Sequence, residues 1–273
     1  MKSLDLTMST PEENLACDEA LLDLCEENGE ATLRLWESTR YFVVVGYANR
    51  VEAETDRAAC AAAGVPVLRR CSGGGTVLQG PGCLNYSLAL PFGDTGPLAT
   101  IHGTNQFIME RHRAVLEKLL SRVEREAGRD TPGAPPDGFG LADIPTRSSG
   151  APGVTRPTVT IEGHTDLAVD GWKVSGNAQR RKRRALTFHG TFLHAFELAI
   201  VGKYLHFPSH QPDYRQSRAH GEFVTNLGLD PALLRAALRE CWAAHEPLVA
   251  PPVEKIVALV REKYSKAEWN GKF

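Results

Sequence analysis

The sequence predicts an α+β fold of mixed, mostly antiparallel sheets flanked by helices, and three observations lead to this prediction. Several short runs rich in β-branched and aromatic residues are separated by turn residues, as is typical of strands. The pair Asp170-Gly171 indicates a tight hairpin between two of these strands. Longer stretches carry apolar residues at helical spacing instead. Many strands with helices outside them favour an α+β sheet domain.

The first half of the chain begins with a predicted helix at residues 10–28. Thr10 can cap it, Pro11 occupies the first helical position, and acidic residues fill the first turn. Gly29 follows as a stop signal. Leu15, Leu21, Leu22 and Cys25 form its apolar stripe. The further elements predicted here are strands at 32–36, 41–47, 65–68 and 84–91, a short helix at 52–63 and a long helix at 104–127.

The second half opens with a stretch of different texture, residues 131–157, which is rich in proline and glycine and poor in apolar residues. We interpret it as a long exposed loop within one folding unit, because strand-like sequence resumes directly after it. The chain is therefore expected to form one domain over residues 1–273. The elements predicted here are strands at 158–161, 165–169, 172–175 and 186–195 and helices at 230–245 and 253–264.

Composition narrows the possible classes of function. The chain has 273 residues, with 42% hydrophobic and 23% charged, which is ordinary for a globular protein. A net charge of -2 disfavours a general nucleic-acid-coating protein. Apolar runs are too short to cross a bilayer, and acidic residues interrupt the N-terminus where a signal peptide needs an apolar core. The six cysteines have no metal-ligand spacing. We expect a cytoplasmic protein with buried thiols and no resident metal, nucleic-acid or membrane partner.

A glycine-rich segment, Arg69-Arg70-Cys71-Ser72-Gly73-Gly74-Gly75-Thr76, is the first candidate for chemistry. Three glycines let the backbone turn sharply, so that its N–H groups approach a ligand closely and form an anion site. The flanking arginines add positive charge suited to a phosphate or carboxylate. The segment is neither a Walker A loop nor a dinucleotide turn. Taken alone, a glycine-rich turn with solvated arginines explains it equally well.

Two further features follow the predicted hairpin. Lys173 begins the segment KVSGNAQ and can donate to a carbonyl or phosphate in a cleft, although an ordinary exposed strand lysine fits it as well. Five consecutive cations, 180–184, indicate a local positive patch for one phosphate or an acidic partner, with solvated side chains as the alternative for the last three. His189 lies in the next strand and is more often structural than catalytic in such a position.

In combination and order, these segments resemble the biotin/lipoate protein ligase family, in its branch of lipoate-protein ligases and octanoyltransferases. The resemblance covers nearly the whole chain. The segments that carry it are RRCSGGGTV (69–77), CLNYSLAL (83–90), DGWKVSGNAQRR (170–181) and FHGTFL (188–193). Weaker matches are NLACDEALL (14–22), LRLWES (33–38), VVGYANR (44–50), QPDYRQSRAHGEFVTNL (211–227) and KYSKAEWN (263–270).

The resemblance implies a catalytic domain like that of class II aminoacyl-tRNA synthetases and a set of site residues. Lys173 would be the catalytic lysine, contacting the acyl carbonyl and the phosphate. The residues implied to bind acyl group and adenylate are Arg70, Ser72, Gly73, Gly74, Gly75, Val77, Asn85, Ser175, Gly176, Asn177, Ala178, His189, Gly190 and Thr191. The implied co-substrates are ATP with Mg²⁺ and lipoate, or preformed lipoyl-AMP. The implied partners are apo lipoyl-domain carrier proteins, of the 2-oxoacid dehydrogenase E2 or glycine cleavage H protein type.

The resemblance leaves the subtype open. Octanoyltransferases of this branch use a cysteine thioester, but residues 154–169 and 191–225 contain no cysteine. Cys71 and Cys83 lie near the glycines instead, where packing is the expected role. Adenylate chemistry is therefore favoured over transfer from an acyl carrier protein.

A second departure concerns the accessory domain that larger lipoate ligases carry after the tail with the Trp-Asn pair. This sequence ends at Phe273, directly after that tail, so the accessory domain is expected to be absent. The alternatives kept open are an octanoyltransferase, a lipoyl-AMP transferase half that needs a separate accessory protein, and a non-catalytic module that binds lipoyl domains or lipoyl-AMP.

Overall fold

The structure, a computed structural model, describes residues 1–127 and 157–273. The predicted loop at 131–157 lies almost wholly outside the described residues. Within them the chain forms two sheets with helices packed against both faces of the larger one, as the sequence predicts. The strands are β1 (Lys2–Asp5), β2 (Thr32–Trp36), β3 (Phe42–Val45), β4 (Val67–Arg69), β5 (Val77–Gln79), β6 (Cys83–Pro91), β7 (Val159–Glu162), β8 (Asp166–Val169), β9 (Trp172–Arg181), β10 (Ala185–Leu193) and β11 (Glu246–Pro247). The helices are α1 (Pro11–Asn28), α2 (Val51–Glu54), α3 (Arg57–Ala62), α4 (Ile101–Ala127), α5 (Val201–Tyr204), α6 (His220–Phe223), α7 (Pro231–Cys241), α8 (Val253–Leu259) and α9 (Ala267–Asn270).

The large sheet has the strand order β11-β1-β2-β6-β10-β9-β8-β7. Its pairs are parallel from β11 to β2 and antiparallel from β2 to β7. The small sheet has the order β4-β3-β5, with one parallel and one antiparallel pair. The predicted mixed, mostly antiparallel architecture is therefore confirmed.

Alternation along β6 explains how the large sheet is covered. Leu88 packs into the core under α4 and α7, and its neighbour Ala89 packs on the opposite face, under α1 and α8. A third cluster joins the small sheet to α5. Because both faces are buried, β2, β3 and most of β6 lack the alternation of an exposed sheet.

Helix α1 has the predicted boundaries. The Thr10 side chain accepts a hydrogen bond from the Glu13 N–H, and the Glu13 carboxylate accepts one from the Thr10 N–H. Gly29 ends the helix in the left-handed conformation, with φ 74°. The predicted hairpin at Asp170-Gly171 is also present, with φ of 50° and 83°.

Several predicted boundaries were wrong. The helix predicted at 52–63 is two helices, because Thr55 bridges to Leu205 and Asp56 caps α3. The strand predicted at 172–175 continues to Arg181. The helix predicted at 230–245 ends at Cys241. The helix predicted at 253–264 has its predicted extent, because a π-helical turn, Val260–Tyr264, follows α8 directly. The elements that the sequence analysis missed are β1, β5, β11, α5, α6 and α9.

Candidate active site

The described residues enclose a cavity of about 940 Å³ between the large sheet and the glycine-rich segment. Nearly all the site residues expected from the sequence line it. Gly73 is the exception, and its carbonyl oxygen instead accepts hydrogen bonds from Arg70. Those that line the cavity are Arg70, Ser72, Gly74, Gly75, Val77, Asn85, Lys173, Ser175, Gly176, Asn177, Ala178, His189, Gly190 and Thr191.

Strand register builds the floor of this cavity. Directly opposed residues of antiparallel strands point to the same side of a sheet. One row across four strands is Gly176, Thr191, Asn85 and Trp36. The next row is Ala178, His189, Ser87 and Arg34. Small residues on β9 leave space above the sheet, and polar side chains on β10 and β6 face that space.

The glycine-rich segment forms the opposite wall. Gly74 has φ +85°, and a Cβ there would lie 2.9 Å from the Arg70 Nη2. A Cβ on Gly46 would lie 2.0 Å from the Gly74 carbonyl oxygen, so the segment packs directly against the end of β3. Gly74 therefore needs glycine for both its conformation and its close contact.

Arg70 is buried and shapes this wall from inside. Its guanidinium donates to the carbonyl oxygens of Gly73 (2.6 Å) and Gly75 (2.7 Å) and to the Ser72 Oγ (3.1 Å). Burial lowers the pKa of Arg70 to about 10, which keeps it charged at neutral pH. No carboxylate pairs with it in the part of the chain that the structure describes. The segment thus carries a positive charge that its own backbone dipoles hold in place.

Ser72 of the glycine-rich wall and His189 of the sheet floor contact each other across the cavity. The Ser72 Oγ lies 2.6 Å from the His189 Nε2. Burial and the neighbouring Arg70 charge lower the pKa of His189 to about 3, so the imidazole is neutral at physiological pH. The Arg70 Nε donates to Ser72, and the neutral imidazole is suited to accept the hydroxyl proton. This bond holds the glycine-rich segment against β10.

Lys173 reaches the cavity from β9. Its Nζ lies 2.8 Å from the Asp166 Oδ1, and the Tyr214 hydroxyl donates to the other Asp166 oxygen at 2.8 Å. A Cβ on Gly176 would lie 3.0 Å from the Lys173 Nζ, so glycine at that position leaves room for the lysine. Asp166 therefore orients the lysine, which remains partly open to the cavity.

Asn177 is fully engaged inside the protein. Its Oδ1 accepts from the Tyr86 hydroxyl at 2.6 Å, and its Nδ2 donates to the Thr165 carbonyl at 2.5 Å. A Cβ on Gly190 would lie 1.6 Å from the Asn177 Oδ1, which explains the glycine there. Asn177 thus braces the turn before Asp166 rather than presenting a free amide.

Thr191 centres a second chain of hydrogen bonds. Its hydroxyl donates to the Asn85 Oδ1 at 2.6 Å and accepts from the Gln79 Nε2 at 2.7 Å. The Gln79 Oε1 is buried and has no partner among the described residues. This chain links β5 of the small sheet to β10 and β6 of the large one.

Comparison with known proteins identifies the architecture. A family model described as the lipoyl protein ligase A/B catalytic domain matches residues 10–231. The chain belongs to this family. The resemblance and the catalytic-domain fold expected from the motifs are therefore confirmed.

Relatives within the family carry two kinds of name. A protein of Aeropyrum pernix named "Putative lipoate-protein ligase A" is 31% identical over 190 residues, 70% of this chain. The octanoyltransferase LipM of Kyrpidia tusciae is 28% identical over 272 residues, which cover 94% of this chain and 93% of that protein. The octanoyltransferase LipM of Exiguobacterium sp. is 31% identical over 188 residues. This chain spans 56% of the length of the Aeropyrum protein and 62% of the Exiguobacterium protein.

Solved structures share the fold. One chain from the bi-partite lipoate protein ligase and E2 lipoyl domain of Thermoplasma acidophilum has a TM-score of 0.73 at 20% identity, covering 100% of this chain and 96% of that one. A lipoate-protein ligase A bound with ATP has a TM-score of 0.68 at 23% identity, covering 100% of this chain and 99% of that one.

The thiols of this lipoyl ligase family member are poorly suited to act as nucleophiles. Cys71 lines the cavity, but burial raises the pKa of its thiol to about 12. Burial also raises the pKa of the Cys83 thiol well above its ordinary value. A thiol with a raised pKa carries little thiolate at neutral pH. Packing remains the best account of both residues.

The basic run 180–184 lies along the end of β9 and the turn into β10. Arg181 is half-buried and donates to the carbonyl oxygens of Leu98 and Ala99, which fastens the start of α4 to the sheet. Lys182 pairs with Asp23. Arg183 and Arg184 are exposed. The run therefore divides into a structural part and a solvated part.

The sequence analysis missed Asp166 and Tyr214. Asp166 begins β8, the first strand of the hairpin that carries Lys173, and Tyr214 lies in the weakly matching segment 211–227. A further missed feature is the group of histidines lining the cavity, His164, His206, His210 and His220. Pairing of Asp166 with Lys173 follows from the hairpin of β8 and β9, which the sequence predicts. Tyr214, His206, His210 and His220 come from a distant part of the chain, and no sequence spacing relates them to Lys173.

Among the residues that the structure describes, no His, Cys, Asp and Glu side chains form a group of three or more that could hold a metal ion. Within 1–127 and 157–273, each helix is too short or too polar to cross a membrane.

Proposed function

We propose that this chain attaches a lipoyl group to a specific lysine of an apo lipoyl-domain carrier protein through an acyl-AMP intermediate. The observation that carries the proposal is the meeting of Lys173, Arg70 and the Ser72–His189 pair in one cavity of about 940 Å³, a volume sufficient for an acyl chain. Among solved structures with this fold, one is bound with ATP and another is bound with lipoic acid.

The chemistry has two steps. A carboxylate is a poor acyl donor, so a lipoate oxygen attacks the α-phosphorus of ATP and pyrophosphate leaves. The amine of the carrier lysine then attacks the acyl carbon of the mixed anhydride, and AMP leaves as the amine loses its proton. Mg²⁺ enters with ATP as the counter-ion of its phosphates.

Lys173 has the central role in this proposal. Its ammonium would donate to the acyl carbonyl and to the phosphate, where negative charge develops in both steps. The buried Arg70 charge and the N–H groups of the glycine-rich segment would act on the same phosphate. Exclusion of water from the cavity would protect the anhydride from hydrolysis. The named site residues that line the cavity would keep the binding roles that the family resemblance implies, with Asn177 acting through its backbone.

The carrier protein is proposed to be a lipoyl domain of the E2 or H-protein type. The fold neighbour from Thermoplasma acidophilum is described together with its E2 lipoyl domain. That neighbour is also described as bi-partite, which supports the idea that this chain works with a separate accessory protein. The single catalytic domain and the cytoplasmic location stay predictions from the sequence.

An octanoyltransferase is the second candidate, and the near-complete alignment with the Kyrpidia tusciae LipM protein favours it. In this chemistry an enzyme thiolate takes the octanoyl group from its thioester on an acyl carrier protein. The enzyme thioester then passes the octanoyl group to the lysine of the lipoyl domain. Cys71 is the thiol that lines the cavity, but its raised pKa argues against this role.

Intact-mass measurement on an apo lipoyl domain separates the candidates. One reaction contains lipoate, ATP and Mg²⁺, a second contains octanoyl-carrier protein without ATP, and a third contains synthetic lipoyl-AMP. With lipoyl-AMP, we expect the mass of the lipoyl domain to increase by one lipoyl group. With lipoate, ATP and Mg²⁺, we expect the same increase once any required accessory protein is added. An increase only with octanoyl-carrier protein, abolished in Cys71→Ala, would replace this proposal by the second candidate. No product in any of the three would leave a binding module.

A further inference from the structure

A smaller cavity of about 290 Å³ lies against the glycine-rich segment, next to the main cavity. The residues that line both cavities are Glu54, Gly74, Gly75 and His210. Ser209 and His210 lie at the rim of the smaller cavity and are exposed, so this cavity opens to solvent. It therefore forms an entrance beside the segment that is proposed to bind the phosphate.

Glu54, the last residue of α2, is the buried acidic residue of this entrance. Only 4% of its surface is exposed. Its Oε1 accepts hydrogen bonds from the hydroxyl and the backbone N–H of Ser209. Its Oε2 has no hydrogen-bond partner within residues 1–127 and 157–273, and it is not fully enclosed by protein. One oxygen of the carboxylate therefore holds the rim of the entrance, while the other is open to a ligand.

Glu54 differs in its pairing from two other carboxylates that line the main cavity. Asp18 pairs with Arg34 at 2.7 Å, and Asp166 pairs with Lys173 at 2.8 Å. Among the residues that the structure describes, no cationic side chain forms an ion pair with Glu54. A carboxylate that is buried so deeply is normally paired with a cation. We therefore expect a molecule that enters the cavity to supply the cation.

The transfer step described above has one cationic reactant, the acceptor lysine of the carrier protein. Its nitrogen must reach the acyl carbon of lipoyl-AMP, and the acyl-AMP itself would occupy the main cavity. The lysine side chain therefore needs a separate path from the surface. The smaller cavity offers this path, because it leads from the exposed rim to Gly74 and Gly75. A Cβ on Gly75 would meet nothing within 4 Å, so the space beside that glycine is open.

We propose that the smaller cavity binds the acceptor lysine of the carrier protein and that Glu54 is the counter-ion of its ammonium group. This inference rests on the proposed function, because it takes the acyl-AMP phosphate to lie on the glycine-rich segment. An ammonium group has three N–H donors, so it can bond to the Glu54 Oε2 while its nitrogen lies near the main cavity. The carboxylate would thus select a cationic side chain at the entrance.

A double-mutant cycle tests this assignment by binding alone. Calorimetry would measure the affinities of the wild-type chain and of Glu54→Gln for an apo lipoyl domain and for the same domain with its acceptor lysine changed to methionine. Lipoyl-sulfamoyl adenosine would fill the main cavity without transferring its acyl group, and EDTA would remove metal ions. We expect Glu54→Gln to weaken binding of the lysine carrier at least about tenfold and binding of the methionine carrier less than about twofold.

Other variants of this chain provide controls. Glu52→Gln removes an exposed carboxylate from the same helix, outside both cavity linings. Ser209→Ala removes the hydroxyl that donates to Glu54 and keeps the carboxylate. In both controls the preference for the lysine carrier over the methionine carrier should change less than about threefold. If Ser209→Ala abolished the preference as fully as Glu54→Gln, Glu54 would support the rim and would not be the ammonium site.

Equal affinity of the wild-type chain for the two carriers would overturn the inference, even if Glu54→Gln did not fold. A preference for lysine that survives in folded Glu54→Gln would also overturn it, as would a preference that appears only when Mg²⁺ replaces EDTA. Because binding is measured without turnover, failed transfer with a preference that depends on Glu54 would count against the proposed chemistry alone. Lipoyl transfer by a wild-type chain that shows no preference would count against this inference alone.

Discussion

The Lys173 Nζ lies 2.8 Å from the Asp166 Oδ1, so the site holds its central cation in an internal ion pair. The Tyr214 hydroxyl donates to the second Asp166 oxygen, which fixes the carboxylate in turn. A substrate oxyanion that binds Lys173 must compete with Asp166 or share the ammonium with it. Since an ammonium has three donors, sharing is possible without breaking the pair. Asp166 and Tyr214 thus act as positioning residues for the lysine.

Removal of Lys173 should abolish transfer and spare the fold. In Lys173→Ala we expect lipoyl transfer from lipoyl-AMP to fall by about 10²-fold or more, because a donor to the developing oxyanion is lost. Thermal unfolding should change little, since a partly exposed ion pair contributes about 1 kcal/mol or less. Intact mass and calorimetry measure the two quantities. Lys203→Ala, an exposed lysine outside the cavity lining, is the control. Transfer at the wild-type rate in Lys173→Ala would refute the assigned role.

Neighbouring glycines of the glycine-rich segment should respond differently to alanine. Gly74→Ala forces a side chain into a left-handed backbone conformation and against Arg70, so we expect a large loss of activity and of stability. Gly73→Ala meets nothing within 4 Å and should be nearly neutral. Rates and thermal midpoints of the two variants provide the comparison. Equal losses of rate and thermal midpoint in the two variants would contradict the prediction that backbone conformation decides which glycine is required.

Arg70 should matter far more than the exposed cations of the basic run. Arg70→Ala leaves the Gly73 and Gly75 carbonyls without their donor and removes the buried charge, so transfer should fall by at least about tenfold. The double change Arg183→Ala and Arg184→Ala removes exposed side chains and should alter the rate less than about threefold. The rates of lipoyl transfer by the two variants, each compared with the wild-type rate, test this prediction. An equal loss would show that the exposed cations also contact a substrate.

Stability should fall on acidification because His112 is buried and neutral. Burial lowers the pKa of His112 to about 3, while the unfolded chain has the ordinary value near 6.5. The unfolded state therefore binds a proton that the folded state does not, and stability is lost as pH falls from about 6.5 toward 3. Between these limits His112 makes the free energy of unfolding fall by about 1.4 kcal/mol for each unit by which the pH is lowered.

Chemical unfolding at several pH values measures this contribution. His112→Gln should lower the slope of stability against pH by about that amount. His245→Gln is the matched control, because His245 is an exposed histidine. An unchanged slope in His112→Gln would show that His112 is protonated in the folded protein.

Local sequence signals determined the parts of the fold that depend on neighbouring residues. The capping box of Thr10 and Glu13, the stop at Gly29 and the hairpin at Asp170-Gly171 form where the pattern predicts them. Each needs only contacts within a few residues. The division of the predicted helix at 52–63 could not be read in this way, because a bridge from Thr55 to the distant Leu205 interrupts it.

For the candidate site, sequence by itself determined which residue types are available. The motifs name Arg70, Lys173 and His189, and the family membership that they imply is confirmed. Tertiary structure decided which of these groups meet and which neighbours tune them. Strand register places His189 opposite Ser87, and packing of the two sheets brings Ser72 to 2.6 Å from the same imidazole. Burial and long-range pairing set the charge of a side chain, and both arise only when distant segments of the chain come together.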